Sequence, residues 1–387
     1  METKALFAQG DAQYLPLADK SVNVTCCSPP YYRARKYEGK QAVDWPGFFW
    51  SPIPGSDDWC PEWSGALGWE PTPNMFIAHL VLLFREVFRV LRDDGVCWIV
   101  IGDKYTGSEE QALRIGTKGQ LLAIPHRLGL ALQADGWTWR NDLVWHKIAT
   151  HPESVGGWRW GSRRCPCARA KRATTGKRLT NHPDRPQSSR EPSKPDPDCP
   201  QCKGTGYLPG LFLTRGSWRH TRAHEFVLMM TKNMGYYSDH LEASEPATEI
   251  LGDRRNPRTV RSPKPYFWMG SHSAPFNPNL IRPLIQATCP REVCLNCDAP
   301  WARIIQRGQG RGYKPTCDCK AETTPGLLLD PFCGSGSAGV VAKELGLRFI
   351  GVDLAYTYLR DQAALRVHKK MPRDGLRDLP LFENIET

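Results

Sequence analysis

Apolar positions recur along the chain with two periods, one of strand length and one helical. Residues 4–9, closed by Gly10-Asp11, and residues 22–27 are short apolar runs that predict strands. Between positions 74 and 92, Phe76, Ile77, Leu80, Leu83, Phe84, Val87, Phe88 and Leu91 fall on one stripe and predict a helix. Asp93-Asp94-Gly95 then predicts a turn. The unbroken apolar run 96–101 suits a strand buried on both faces, ending at Gly102-Asp103. A helix over 121–134, stopped by Gly136, and strands over 138–146 and 224–231 continue the alternation. Toward the carboxyl end, the run 327–330 enters a glycine loop, a helix over 338–345 and a strand over 349–353. Buried strands alternating with amphipathic helices predict an α/β fold.

Two stretches break the pattern. Residues 32–73 show neither period, yet hold Trp45, Phe48, Phe49, Trp50, Trp59, Trp63 and Trp69. Such lengths are typical of lids and binding loops, and the same rings would equally pack the loop down. Residues 163–209 are rich in Arg, Lys, Pro, Ser and Thr, and too poor in large apolar side chains to fold by burial alone.

Charge sharpens the second of these. The 387 residues carry 51 Lys and Arg against 40 Asp and Glu, a net of +11. Residues 158–222 hold 15 of the bases and 4 of the acids, so this one insertion accounts for the entire excess. A basic face concentrated in one segment is the footprint of a polyanionic partner. The length fits one large α/β domain with an inserted module. No run approaches the ~18 apolar residues of a membrane span, and the first residues lack a charged-then-apolar leader, so a soluble, cytoplasmic protein without membrane contact is expected.

Fourteen cysteines in a reducing compartment stay thiols, and closely spaced pairs then read as metal ligands. Cys165-Pro166-Cys167 and Cys199-Pro200-Gln201-Cys202 bracket the polar stretch. Four thiolates from two such knuckles close a tetrahedral zinc site, and metal binding supplies the folding free energy that the loop lacks. Cys294-Leu295-Asn296-Cys297 with Cys317-Asp318-Cys319 repeats the arrangement. Four sulfur ligands leave no open position, so both zinc sites are expected to be structural. Cys26, Cys27, Cys60, Cys97, Cys289 and Cys333 read as core thiols.

Two loops carry chemistry. Cys27-Ser28-Pro29-Pro30-Tyr31-Tyr32 must end the second strand, because consecutive prolines offer no N–H to a ladder. Its hydroxyl, rigid carbonyls and aromatic face suit a planar ring with an exocyclic amine: oxygens accept the amine protons and Tyr31 stacks on the ring. The other loop, Asp330-Pro331-Phe332-Cys333-Gly334-Ser335-Gly336-Ser337, lets backbone approach a ligand closely, though the G-x-G-x-x-G spacing is broken and no Walker lysine is present. Asp353 lies roughly 20 residues on, a distance at which a carboxylate takes ribose hydroxyls. Asp11, at the first strand's end, is either a ligand contact or a turn cap.

Ser28-Pro29-Pro30-Tyr31 resembles the catalytic motif of the amino-group DNA methyltransferases, and Asp330 to Ser337 resembles the S-adenosylmethionine motif of the same family. The catalytic motif comes first, which resembles the permuted order of the β group. His272-Ser273-Ala274-Pro275-Phe276 through Ile285 resembles the motif that precedes the cofactor strand. The resemblance covers nearly the whole chain except the basic insertion and the second cysteine cluster. It implies a Rossmann-like, circularly permuted class I methyltransferase sheet of seven mostly parallel strands, with an inserted zinc-bearing target-recognition module. It assigns Ser28, Pro29, Pro30 and Tyr31 to catalysis. Asp330, Phe332, Gly334, Ser335, Gly336 and Ser337 would cradle the methionine part, Asp353 the ribose and Asp11 the adenine. The implied division is a catalytic half at 1–155, the basic zinc insertion at 156–222, a return to the core at 223–290, a second zinc knuckle at 291–322 and the cofactor half at 323–387.

The implied activity is methylation of an exocyclic amine in double-stranded DNA. Serine at position 28 favours cytosine N4 in that family, where adenine N6 enzymes mostly carry Asp; adenine N6 is the alternative. C5 chemistry would need a cysteine nucleophile, and the only Pro-Cys dipeptide, Pro166-Cys167, lies in a metal knuckle. A zinc-dependent nucleic-acid-binding protein without catalysis, and an RNA or protein amine as substrate, are further readings; the basic segment disfavours a protein substrate. A homodimer and a restriction endonuclease partner are left open.

Overall fold

A strand with no exposed residue needs cover on both faces, and Val22–Cys27 is buried at every position. The computed structural model describes residues 5–35, 37, 41–107, 116–148, 156–168, 195–246, 254–264, 266, 276–306 and 309–368. In it that strand lies inside an eight-stranded sheet. The members are β1 (Ala5–Gln9), β2 (Val22–Cys27), β3 (Leu91–Ile101), β4 (Thr138–His146), β5 (His224–Thr231), β6 (Val260–Arg261), β7 (Leu327–Asp330) and β8 (Arg348–Asp353). Across the sheet they run β1-β8-β7-β2-β3-β5-β4-β6. The first five in that row are mutually parallel, β5 is antiparallel to both its neighbours, and β6 is parallel to β4. The strand beyond the seven that the resemblance implies is β6 at the sheet edge, which pairs through only two residues.

Alternate side chains of the central strands feed two separate cores. Cys27, Cys97, Ile99 and Ile101 join one with helices α1 (Pro73–Val90) and α2 (Ile124–Ala134). Val24, Cys26, Val96, Trp98 and Val100 join the other with α3 (Pro278–Thr288) and α4 (Ser337–Leu345). Thr72 caps α1 by accepting the Met75 N–H at 3.2 Å, with Pro73 in the first turn. The second helix starts at Ile124 rather than 121, where the Asp103 carboxylate accepts the Ile124 N–H at 3.0 Å. A buried amide fixes one register: Asn23 Oδ1 in β2 accepts the Leu327 N–H of β7 at 2.8 Å.

Two expectations need correction. Asp93-Asp94-Gly95 is a bulge inside β3 and not a turn before it: Val22 faces Leu91, while Val24 already faces Val96. Residues 32–73 do contain strands, as two antiparallel ribbons, Ala42–Trp45 with Trp63–Ala66 and Phe48–Trp50 with Asp58–Cys60. Trp45 and Trp50 are buried there, whereas Phe49 and Trp59 stay exposed. The ribbons are tied to α1 by a fully buried pair. Glu70 accepts the Gly68 N–H at 2.8 Å and lies 3.0 Å from His79 Nδ1, and Trp45 and Trp63 both stack on the His79 ring.

Ala149–Arg222 is a compact unit distinct from that formed by Met1–Ile148 and Ala223–Thr387. Positions 169–194 of the basic stretch and positions 272–275 lie outside the described residues. No helix among the described residues is long and apolar enough to cross a membrane.

Asp330, at the end of β7, is fully buried. Its Oδ1 accepts the Phe332 N–H at 3.1 Å, and Oδ2 has no hydrogen-bond partner among the described residues. Burial pushes this carboxyl up to about 8. An acid whose folded pKa exceeds its unfolded value holds its proton more tightly when folded, so stability falls as pH rises from about 4 to about 8. Asp330→Asn cannot ionise and is expected to flatten that decline, read from urea midpoints across the range; an unaltered slope would refute the protonated carboxyl. His79→Ala strands Glu70 and opens a gap between two indoles, with an expected loss of roughly 2–4 kcal/mol in chemical denaturation.

Candidate active site

Parallel neighbours end on the same edge of a sheet, and β2 and β7 are such neighbours. The loops that follow them converge accordingly. Ser28, Pro30 and Tyr31 line one cavity of about 730 Å³ together with Phe332, Gly334, Ser335, Ser337 and Asp353. Asp11 also lines it, at the end of β1 beside β8. Pro29, Asp330 and Gly336 do not: each is buried behind the surface of its loop. Asp330 supports the loop from below through the Phe332 N–H. Gly336 stands at φ +75° ahead of α4, where a Cβ would come within 3.0 Å of the Ala363 backbone, so only glycine fits.

The glycine loop is held at both ends. Asp353 accepts the Gly334 N–H at 2.8 Å through one oxygen and the Ala355 N–H at 2.9 Å through the other. Burial raises the pKa of that carboxyl, and the two N–H groups oppose the shift. Arg366 donates to the Ser335 carbonyl, Ser335 Oγ and Ser337 Oγ, each at 3.1 Å. The Asp11 carboxylate accepts from the Gln13 backbone at 2.9 Å and from its side-chain amide at 3.1 Å. Asp11 thus caps a turn while facing the cavity.

Trp45 and Trp69, from the aromatic-rich segment 32–73, line the cavity as well. Trp145, Lys147 and Glu225, at the ends of β4 and β5, also line it and had no signature in the sequence reading. Tyr31 donates its phenolic proton to Glu225 Oε2 at 2.9 Å, and Lys147 donates to Glu225 Oε1. Burial, and then the Glu225 charge, hold the Tyr31 phenol well above its ordinary pKa. The signal available was a carboxylate at the head of an otherwise apolar run, His224 to Thr231.

The eight clustered cysteines meet in two groups of four, each with all its sulfurs within 4.8 Å of one another. A tetrahedron with roughly 2.3 Å zinc–sulfur bonds has edges of roughly 3.8 Å. The measured Sγ pairs are Cys165 to Cys199 at 3.7 Å, Cys167 to Cys202 at 3.5 Å and Cys297 to Cys319 at 3.4 Å. In each C-x₂-C knuckle, backbone N–H groups aim at the first thiol: Cys202 and Gln201 at Cys199, Asn296 and Cys297 at Cys294. They hold both thiols near a pKa of about 7. Both donor sets therefore fit a tetrahedral thiolate-bound metal. By contrast, burial pushes Cys26, Cys27, Cys97, Cys289 and Cys333 upward, as inert core thiols require.

Within the second unit, Arg159–Gly161 pairs antiparallel with Phe212–Thr214. Trp158, Trp160 and Trp218 are exposed there, and Arg215 lies 5.1 Å over the Trp158 ring. The unit so presents cations and exposed aromatic side chains together.

Comparison with known proteins agrees with this geometry. The chain is 27% identical over 362 residues to the type II methyltransferase M.XycI of Xanthomonas campestris pv. cyanopsidis, covering 89% of this chain and 80% of that protein. It is 28% identical over 376 residues to M.Cfr9I of Citrobacter freundii, covering 92% and 85%. Among solved structures, the PvuII DNA methyltransferase (cytosine-N4-specific) shares the fold with a TM-score of 0.50 at 13% identity, over 95% of this chain and 87% of that one. The DNA methylase family model for N6 and N4 enzymes matches residues 22–364, across both cavity loops and both cysteine clusters, and the chain belongs to that family.

Proposed function

We propose that the protein transfers a methyl group from S-adenosylmethionine to the exocyclic N4 of cytosine in duplex DNA, with the target base swung out of the helix into the cavity beside Ser28. The convergence of the Ser28 and Gly334 loops on a single cavity carries this reading. When bound, S-adenosylmethionine supplies an activated methyl sulfonium, so the chain's own task is positioning. Phe332, Gly334, Ser335 and Ser337 would hold its methionine part, Asp353 its ribose and Asp11 its adenine, with Asp330 and Gly336 shaping the loop from behind. The permuted strand order, with β1 completing the cofactor side beside β8, is consistent with this division.

The exocyclic amine is a weak nucleophile because its lone pair is delocalised into the ring. Ser28 Oγ accepts from it and favours a pyramidal nitrogen, while Tyr31 stacks on the ring and Pro29, behind the loop surface, stiffens the turn. A neutral serine at position 28, rather than an aspartate, supports cytosine over adenine. The basic unit, with its exposed tryptophans and arginines, is read as the target-recognition module, where phosphate contacts give affinity and base contacts give register. The type II relatives support a modification role in a restriction system.

Zinc is assigned to both cysteine clusters as a structural ion. The sulfur spacing supports this, and no catalytic step passes through the metal.

Methylation of defined duplexes followed by nucleoside mass analysis is expected to give N4-methylcytosine; methyladenine alone would overturn the choice of base. Ser28→Ala is expected to slow transfer by about 100-fold or more with S-adenosylmethionine binding retained. Metal analysis of the purified chain is expected to find zinc at both clusters, with Cys202→Ser losing one equivalent and leaving the other; a metal-free chain of full activity would remove zinc from the description.

A further inference from the structure

Hydrogen bonds have a direction, and the groups around Tyr31 leave only one. A carboxylate accepts and never donates, so at 2.9 Å Tyr31 must give its single proton to Glu225 Oε2. Lys147 can only donate, and it occupies Oε1. With its proton committed, the Tyr31 oxygen can only accept, and the donor that reaches it among the described residues is Ser28, whose Oγ lies 3.5 Å away. Such contacts are long in unliganded sites and tighten when the site fills. Ser28 therefore spends its own proton on Tyr31 and turns its lone pairs to the cavity.

Packing holds the chain in that state. A Cβ on Gly102 would sit 2.7 Å from Tyr31 Cε2 and 3.4 Å from Glu225 Cγ, so ring and carboxylate share one tight slot against the end of β3. Support for a stacking ring does not require this charge. Residues 226–231 of β5 are all buried, and an apolar residue at 225 facing a phenylalanine at 31 would brace the ring without desolvating an ion. What the carboxylate adds is polarity.

We propose that Lys147 and Glu225 are positioning residues that set the direction of the chain Ser28–Tyr31–Glu225 and so make Ser28 Oγ an acceptor for the protons of the target amine. The inference rests on the role given to Ser28 under the proposed function. It adds two cavity-lining residues that act through Tyr31 and Ser28.

The decisive variant is Glu225→Gln, which keeps size and removes charge. Lys147 must then face the amide oxygen, so the amide NH₂ points at Tyr31 and the chain reverses. Tyr31 now donates to Ser28, and Ser28 presents its proton to an amine that is itself a donor. In steady-state methylation of a duplex substrate, Glu225→Gln is expected to lower kcat by roughly tenfold or more, with KM for DNA and affinity for S-adenosylmethionine unchanged. Adding Tyr31→Phe cuts the chain and lets Ser28 rotate, so the double variant is expected to be faster than Glu225→Gln alone. A Glu225→Gln enzyme at the wild-type rate, or a double variant slower than the single, would overturn the proposal. If instead Ser28→Ala keeps full activity, the role of Ser28 fails first, and that result is separate from these.

Discussion

The site depends on one register, the parallel pairing of Val22–Cys27 with Leu327–Asp330. A slip of one residue would turn every side chain of a strand to the opposite face, and these strands serve a different core on each face. Apolar side chains alone specify such a register weakly, since Val and Leu fit many neighbours. Asn23 supplies the missing specificity: a buried amide with a bond to the Leu327 N–H tolerates no other alignment without leaving a polar group unpaired. From that single lock follows the meeting of Ser28 with Gly334, because parallel strands in fixed register deliver their loops to a common edge.

Much of this architecture was legible in the chain, and the parts that were not share a cause. The stripe from Phe76 to Leu91 carries a helical period, and the runs at 96–101, 226–230 and 327–329 are apolar without a break because both their faces are covered. The ribbons at Ala42–Trp45 and Phe48–Trp50 are three or four residues long and carry too few positions to alternate. The bulge at Asp93 to Gly95 reads locally as a turn, and only the partner strand shows that pairing resumes beyond it. Ser28, Tyr31 and the glycine loop announced themselves because prolines and glycines constrain the backbone wherever they occur. Glu225 did not, since its meaning comes from Tyr31, 194 positions away in the chain. The burial that raises the Asp330 carboxyl is likewise a property of the packed sheet and leaves no mark in its neighbouring residues.

The molecule uses two kinds of cohesion. The sheet body is held by apolar burial, with occasional polar groups such as Glu70, His79 and Asn23 marking where geometry had to be exact. Around the cysteine knuckles large apolar side chains are scarce, and convergent thiols take over the task. In the second cluster the hairpin Trp301–Gln306 with Gln309–Pro315 is joined to the body through Arg303, which pairs with Asp239 and Glu242. That ion-pair network gives the hairpin a fixed seat that the knuckles alone would not provide.

Ala5–Gln9 pairs with Arg348–Asp353, so one edge of the sheet is closed by segments that lie farther apart in sequence than the partners of any other pair in it. The entropy of closing so long a loop has to be met before that pairing rewards it, which makes this edge a late one to form and an early one to open. Its opening would loosen the Asp11 and Asp353 side of the cavity while the Ser28 strand stayed clamped between its two parallel neighbours.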